Sequence, residues 1–164
     1  MLLPTEALHM LIHELERINW DVIGVCETYW TGMHEFHVKE YKIISVGKED
    51  CHRSGVALIL IKHAQWVLVS YNPVNDVTLS ARFQTATGFV SICQVYAPTP
   101  TTNATIEALN TFYDALQHEL CRIPTRDYVI VLGDFNSKDG KGDQSTKGIL
   151  GPYGIGERNS NGDR

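Results

Sequence analysis

Two carboxylates, an amide and a phenol stand at the ends of apolar runs, where side chains reach past a sheet edge. The first stretch is Gly133-Asp134-Phe135-Asn136, directly after the run 128–132. Asp134 and Asn136 are two residues apart, so in extended backbone they share a face. A carboxylate there can take a proton from a water molecule while the nearby amide fixes that water's orientation. The same residues also suit an ordinary turn, because Asp and Asn bond readily to nearby backbone. The second stretch closes the run 21–26 with Glu27. A carboxylate at such an edge suits a hard divalent cation such as Mg²⁺, which takes one or two carboxylates and keeps several waters. It equally suits a solvated strand end. The third is Tyr96 in Val95-Tyr96-Ala97-Pro98-Thr99. Its phenol can donate to a phosphate oxygen, or the ring can serve as a core aromatic with a wet tip.

Strands and two helices must position these groups. Thr5 can cap a helix, with Glu6 favourable in its first turn. Leu8, Leu11, Ile12, Leu15 and Ile18 then recur at helical spacing. Residues 21–26 read as a short strand, and 28–39, polar and aromatic without a clear period, as a loop. Residues 41–46, 56–61 and 66–71 read as strands rich in β-branched side chains. The cluster 72–76 is a turn signal. Residues 77–83 and 89–96 form two more strands, joined near Gly88 as a hairpin. Asn103 can cap a second helix, whose buried stripe is Ile106, Leu109, Phe112, Tyr113, Leu116 and Leu120. Residues 128–132 form a continuous apolar strand of the kind buried on both faces. This order predicts an α+β sandwich, with sheets packed together and helices on the outer faces.

The chain has 164 residues, 43% hydrophobic and 20% charged, which is ordinary globular usage and excludes disorder. Its length predicts a single domain over 1–164. No apolar run approaches the roughly 20 residues of a membrane span, so no membrane partner is expected. A net charge of −5 argues against a protein that coats nucleic acid by charge alone. Lys138, Lys141 and Lys147, in the Gly-rich segment after Asn136, could still touch a DNA backbone; a solvated loop explains them equally well. Cys26, Cys51, Cys93 and Cys121 form no C-x-x-C pair and read as reduced, buried thiols. The start Met1-Leu2-Leu3-Pro4 lacks signal-peptide character. An intracellular setting, nuclear or cytoplasmic, is therefore expected. His9 and His13, and likewise His34 and His37, find no further partners at zinc-like spacing.

The combination and order of the motifs are more specific than any one of them. Cys26-Glu27-Thr28-Tyr29-Trp30, then Gly55-Val56-Ala57, then Gln94-Val95-Tyr96-Ala97-Pro98-Thr99, then Gly133-Asp134-Phe135-Asn136 resemble the endonuclease/exonuclease/phosphatase superfamily. DNase I and the apurinic/apyrimidinic endonucleases are members. Within it, the chain looks most like the endonuclease domains of LINE-type retrotransposons of the RTE/BovB group, and it is similar to their domesticated relatives, the craniofacial development protein 2 group. The likeness covers residues 20–164. It implies a four-layered α/β sandwich of the DNase I-like type, with the site at one end of two packed sheets. It also implies Mg²⁺- or Mn²⁺-dependent cleavage of a phosphodiester, with DNA as substrate. By position, Glu27 matches the metal-binding glutamate and Asp134 the aspartate that activates or holds the attacking water. Asn136 matches the asparagine that orients the phosphate or that water, and Tyr96 the tyrosine near the scissile phosphate. Asn161 falls in an Asn-Gly pair of the subgroup and carries no assigned role.

Departures from the pattern set a second expectation. Superfamily members open with a strand bearing an asparagine near the metal. They close with a Ser-Asp-His motif whose histidine meets the phosphate. This stretch shows neither, and its seven histidines all precede Asp134. Ser54-Gly55 stands where the subgroup often has two glycines. The expectation is a truncated domain lacking its first and last strands and weak or inactive by itself. Losing one such electrostatic group costs on the order of 10² to 10³ in rate. Two other readings stay open: a non-catalytic remnant acting as an interaction module, and a phosphatase of the same superfamily.

Overall fold

The computed structural model describes residues 5–99, 106–142, 146, 148–151 and 153–163. In chain order the elements are α1 (Thr5–Leu15), β1 (Val22–Cys26), β2 (Gly32–Val38), β3 (Tyr41–Gly47), β4 (Val56–Leu60), α2 (Lys62–Val67), β5 (Leu68–Asn75), β6 (Thr78–Thr85), β7 (Gly88–Tyr96), α3 (Ile106–Arg122) and β8 (Tyr128–Asp134). They build two four-stranded sheets, ordered β1-β4-β3-β2 and β5-β6-β7-β8. All pairings are antiparallel except β7 with β8, which run parallel around the α3 crossover.

The alternation of side chains along β4 explains the layering. Val56, Leu58 and Leu60 face the second sheet and pack with Leu79, Ala81, Phe83 and Ile92. Ala57 and Ile59 face the other way, against Leu8, Ile12 and Leu15 of α1. Since every residue of β4 is buried, the strand reads as unbroken apolar sequence, as a strand covered on both faces must. On the far side, Phe112 and Leu116 of α3 pack on Cys93 and Val95 of β7. The layers are therefore α1, first sheet, second sheet and α3: the expected four-layered sandwich, consistent with the DNase I type.

Several sequence expectations are corrected. Residues 28–39 are not all loop, because Gly32–Val38 forms β2 on β3. Its exposed edge position lets polar His34, Glu35 and His37 occupy a strand without the usual alternation. The segment around Trp66 is the short helix α2; Trp66 itself is exposed, and the strand begins only at Leu68. That strand runs on through the 72–76 turn signal, with irregular register to absorb Pro73. Ile18 and Ile106 are exposed and add nothing to the helix stripes. Of the four cysteines expected to be buried only Cys93 is, and Cys121 is exposed. The apolar strand 128–132 is not buried on both faces. Within the described residues β8 is an edge strand, so Tyr128, Val129 and Ile130 stay exposed. The proposed cap Asn103, the Thr5 side chain and Lys147 lie outside what is described.

A polar layer locks α3 and the 123–127 turn onto the second sheet. Arg82 gives Asp127 two hydrogen bonds, of 2.6 and 2.9 Å, and Ser91 adds a third of 2.9 Å. The Asp127 side chain is fully buried, and its carboxyl is held below the ordinary value chiefly by Arg82. A carboxylate with a lowered folded-state pKa adds stability above its unfolded pKa of about 4 and loses it as pH falls through the folded value. Wild type should therefore lose more stability than Asp127→Asn between pH 5 and pH 3. Urea melts at the two pH values give the comparison; parallel losses would show that Asp127 contributes no acid dependence.

Candidate active site

The parallel pairing of β7 and β8 brings two of the expected residues together. Its register sets Tyr96 directly opposite Asp134, and the Ala97 N–H bonds the Asp134 carbonyl at 2.8 Å. Both side chains thus leave the second sheet at the same end. From the first sheet, β1 ends at Cys26, whose thiol donates to the Val95 carbonyl across the sheet interface at 3.3 Å. Glu27 follows at once. The Tyr96 hydroxyl donates to Glu27 Oε1 at 2.5 Å, and the Tyr29 hydroxyl donates to Oε2 at 2.8 Å. Glu27, Tyr96 and Asp134 therefore converge at one end of the sandwich, from strands of both sheets.

Unusual backbone aims these groups. Glu27 and Tyr29 both have φ of 55°, and Asn136 has φ of 48°, a region that non-glycine residues seldom enter. Neighbouring backbone holds the first pair: the Thr28 N–H bonds the Gly55 carbonyl at 3.2 Å and the Tyr29 N–H bonds the Ser54 carbonyl at 2.8 Å. Ser54 and Gly55 also have positive φ, 57° and 96°. Two consecutive left-handed residues explain why a pair of glycines suits this place. Ser54 keeps the conformation at a steric cost.

The electrostatics are those of a fixed anion. Hydrogen bonds from Tyr96, and then from Tyr29, hold the Glu27 carboxyl below its ordinary value. In return Glu27 raises both phenols. At neutral pH the carboxylate is charged and both hydroxyls keep their protons. Each carboxylate oxygen takes one phenol and retains acceptor capacity. Among the described residues no group of three or more His, Cys, Asp or Glu could cage a metal. Glu27 offers a hard carboxylate with lone pairs to spare, the kind of donor that Mg²⁺ takes alongside waters.

Asn136 sits at the rim. Its N–H bonds Asp134 Oδ1 at 2.8 Å, an Asx turn that fixes the carboxylate, and its side-chain amide donates to the Ala97 carbonyl at 2.7 Å. The expected pair of Asp134 and Asn136 thus forms a turn at the end where Glu27 and Tyr96 meet. Two further asparagines tie the later segment to this rim. Asn159 donates to the Asn136 carbonyl at 2.9 Å. Asn161, buried, donates to the Pro98 and Phe135 carbonyls at 3.0 and 2.8 Å. Lys138 joins through its backbone, donating to Asn159 Oδ1. Sequence reasoning gave no role to Tyr29 or Asn159. The spacing Glu27-x-Tyr29 offered a hint for the first, but nothing local marks Asn159.

Craniofacial development protein 2 from Bos taurus is 38% identical over 157 residues, covering 96% of this chain and 26% of that protein. The protein of the same name from Tragulus javanicus is also 38% identical over 157 residues, covering 27% of its length. Over nearly its whole length the chain is similar to a part of craniofacial development protein 2. It spans about a quarter of the length of these relatives. No protein-family model matches the chain. No helix among the described residues is long and apolar enough to cross a membrane.

Proposed function

We propose that the chain is a metal-dependent phosphodiester hydrolase of the endonuclease/exonuclease/phosphatase superfamily, acting on DNA and descended from a LINE-type retrotransposon endonuclease. The meeting of Glu27, Tyr96 and Asp134 at one end of the sandwich supports this reading. Craniofacial development protein 2 relatives share the stretch in which all three lie.

In this reading Glu27 holds a Mg²⁺ or Mn²⁺ ion, which when bound stabilises negative charge developing on the phosphate. The Tyr96 hydroxyl has one proton, which it now gives to Glu27 Oε1; with Glu27 engaged by the ion, that proton is free for a phosphate oxygen. Asp134 accepts the proton of the attacking water, and the Asn136 N–H keeps the carboxylate in one orientation for that step. The Asn136 amide spends one proton on Ala97 and offers the other to the phosphate or the water. Incubation with supercoiled plasmid should give nicked circles in Mg²⁺ or Mn²⁺ and none with EDTA. A preparation with a cooperative melt that leaves plasmid intact in both metals, even at high enzyme concentration, would defeat the proposal.

A further inference from the structure

A buried contact between the sheets lies directly beneath the three converging side chains. Gln94 of β7 is 1% exposed, and its amide donates to Cys26 Sγ of β1 at 3.0 Å. Cys26 in turn donates to the Val95 carbonyl at 3.3 Å. The hydrophobic cluster between the sheets includes Val56, Leu58, Leu79 and Ile92; the polar contact of Tyr71 with Glu35 across the sheets is exposed, whereas this one holds a buried amide. The room for it is specific: a Cβ at Gly24 would lie 1.8 Å from Gln94 Oε1 and 2.3 Å from Leu132 Cδ1. That amide oxygen is buried without a hydrogen-bond partner, which costs stability. Each member is one or two residues from a site side chain. Cys26 precedes Glu27, Gln94 and Val95 precede Tyr96, and Val95 pairs with Gly133, next to Asp134.

We infer that Cys26 and Gln94 form an inter-sheet clamp that sets the position of Glu27 relative to Tyr96 and Asp134. Both are positioning residues, since neither reaches the open end where a substrate would lie. The inference rests on the hydrolase reading, in which that spacing governs the chemical step. A sub-ångström error in such a constellation lowers turnover without weakening substrate binding.

Four proteins test it: wild type, Cys26→Val, Gln94→Leu and the double variant. Cys26→Val strands the Gln94 amide and Gln94→Leu removes the donor to the sulfur, whereas the double replaces both partners by apolar groups. The singles should melt about 5 °C lower than wild type, with the double recovering much of that loss. Nicking kcat should fall about tenfold in all three variants, including the double, with KM for plasmid unchanged. Cys26→Ser, which keeps a donor and an acceptor, should restore most of kcat. Recovery of kcat together with Tm in the double variant would overturn the clamp as a positioning device, as would strict additivity of the melts. Should wild type not nick at all, the hydrolase reading fails separately. The clamp is then decided by the amide NMR resonances of Glu27 and Asp134. Coupled movement in the double variant supports it, and unmoved resonances overturn it.

Discussion

Asp134→Asn should lower Mg²⁺-dependent plasmid nicking by about a hundredfold or more while leaving the fold intact, since a positioned general base contributes roughly 10² to 10⁴. Asparagine is the sharper choice than alanine. Its side-chain oxygen can still accept the Asn136 N–H that Asp134 Oδ1 now accepts at 2.8 Å, so the Asx turn survives. What vanishes is the capacity to take a proton. The melting temperature should stay within about 2 °C of wild type, because an exposed polar exchange of equal shape changes little. Asp134→Ala should lose activity as well and also loosen the turn, with a lower melting temperature. Full activity in the asparagine variant would remove Asp134 from the chemistry and leave it as a turn residue. Loss of activity with a large drop in melting temperature would mean that the turn, not the base, had been tested.

The residues that carry this argument differ in how plainly the sequence displays them. Strand β4 is legible because burial on both faces forces an unbroken apolar run, and Val56 to Leu60 obey. The same rule misleads at β8, where the apolar run 128–132 sits at an edge among the described residues. Periodicity reports which residues are apolar, not which neighbours arrive to cover them. Glu27, Tyr96 and Asp134 are visible as strand-end side chains, but their meeting is not. It depends on a parallel register between β7 and β8 and on β1 packing across the sheet interface. Those contacts join residues 69 apart in the case of Glu27 and Tyr96, and no local pattern encodes them. Tyr29 was hidden for another reason. Its reach to Glu27 requires positive φ at both residues, which a non-glycine sequence does not announce. The polar layer beneath α3 was hidden too: Glu119 falls on the buried side of the helix because Ser80 and Asn72 of the sheet donate to it. A helical stripe drawn from apolar residues alone passes over such a position.

Gly133→Ala should be the most damaging single-methyl change near the site. Gly133 has φ of 144°, where a Cβ is sterically disfavoured. An added Cβ would lie 1.9 Å from the Val95 carbonyl oxygen and 2.8 and 2.9 Å from the carbon and nitrogen of that residue. All three are main-chain atoms, so no rotamer change can make room. The register pairs Val95 with Gly133 one step before Tyr96 and Asp134, so the strands must separate where the site begins. Combined backbone strain and overpacking should cost about 3–5 kcal/mol, lowering the melting temperature by about 10 °C. Any nicking activity should vanish at temperatures where the variant is still folded, because the Tyr96–Asp134 spacing is lost before the fold is. Gly88→Ala separates strain from crowding. Gly88 has a similar φ of 148° but nothing within 4 Å of its added Cβ. It should lose only about 1 kcal/mol and keep its activity. Equal losses in the two variants would assign the effect to backbone conformation, and the close approach of β8 to Val95 would then not be what holds Asp134 in place.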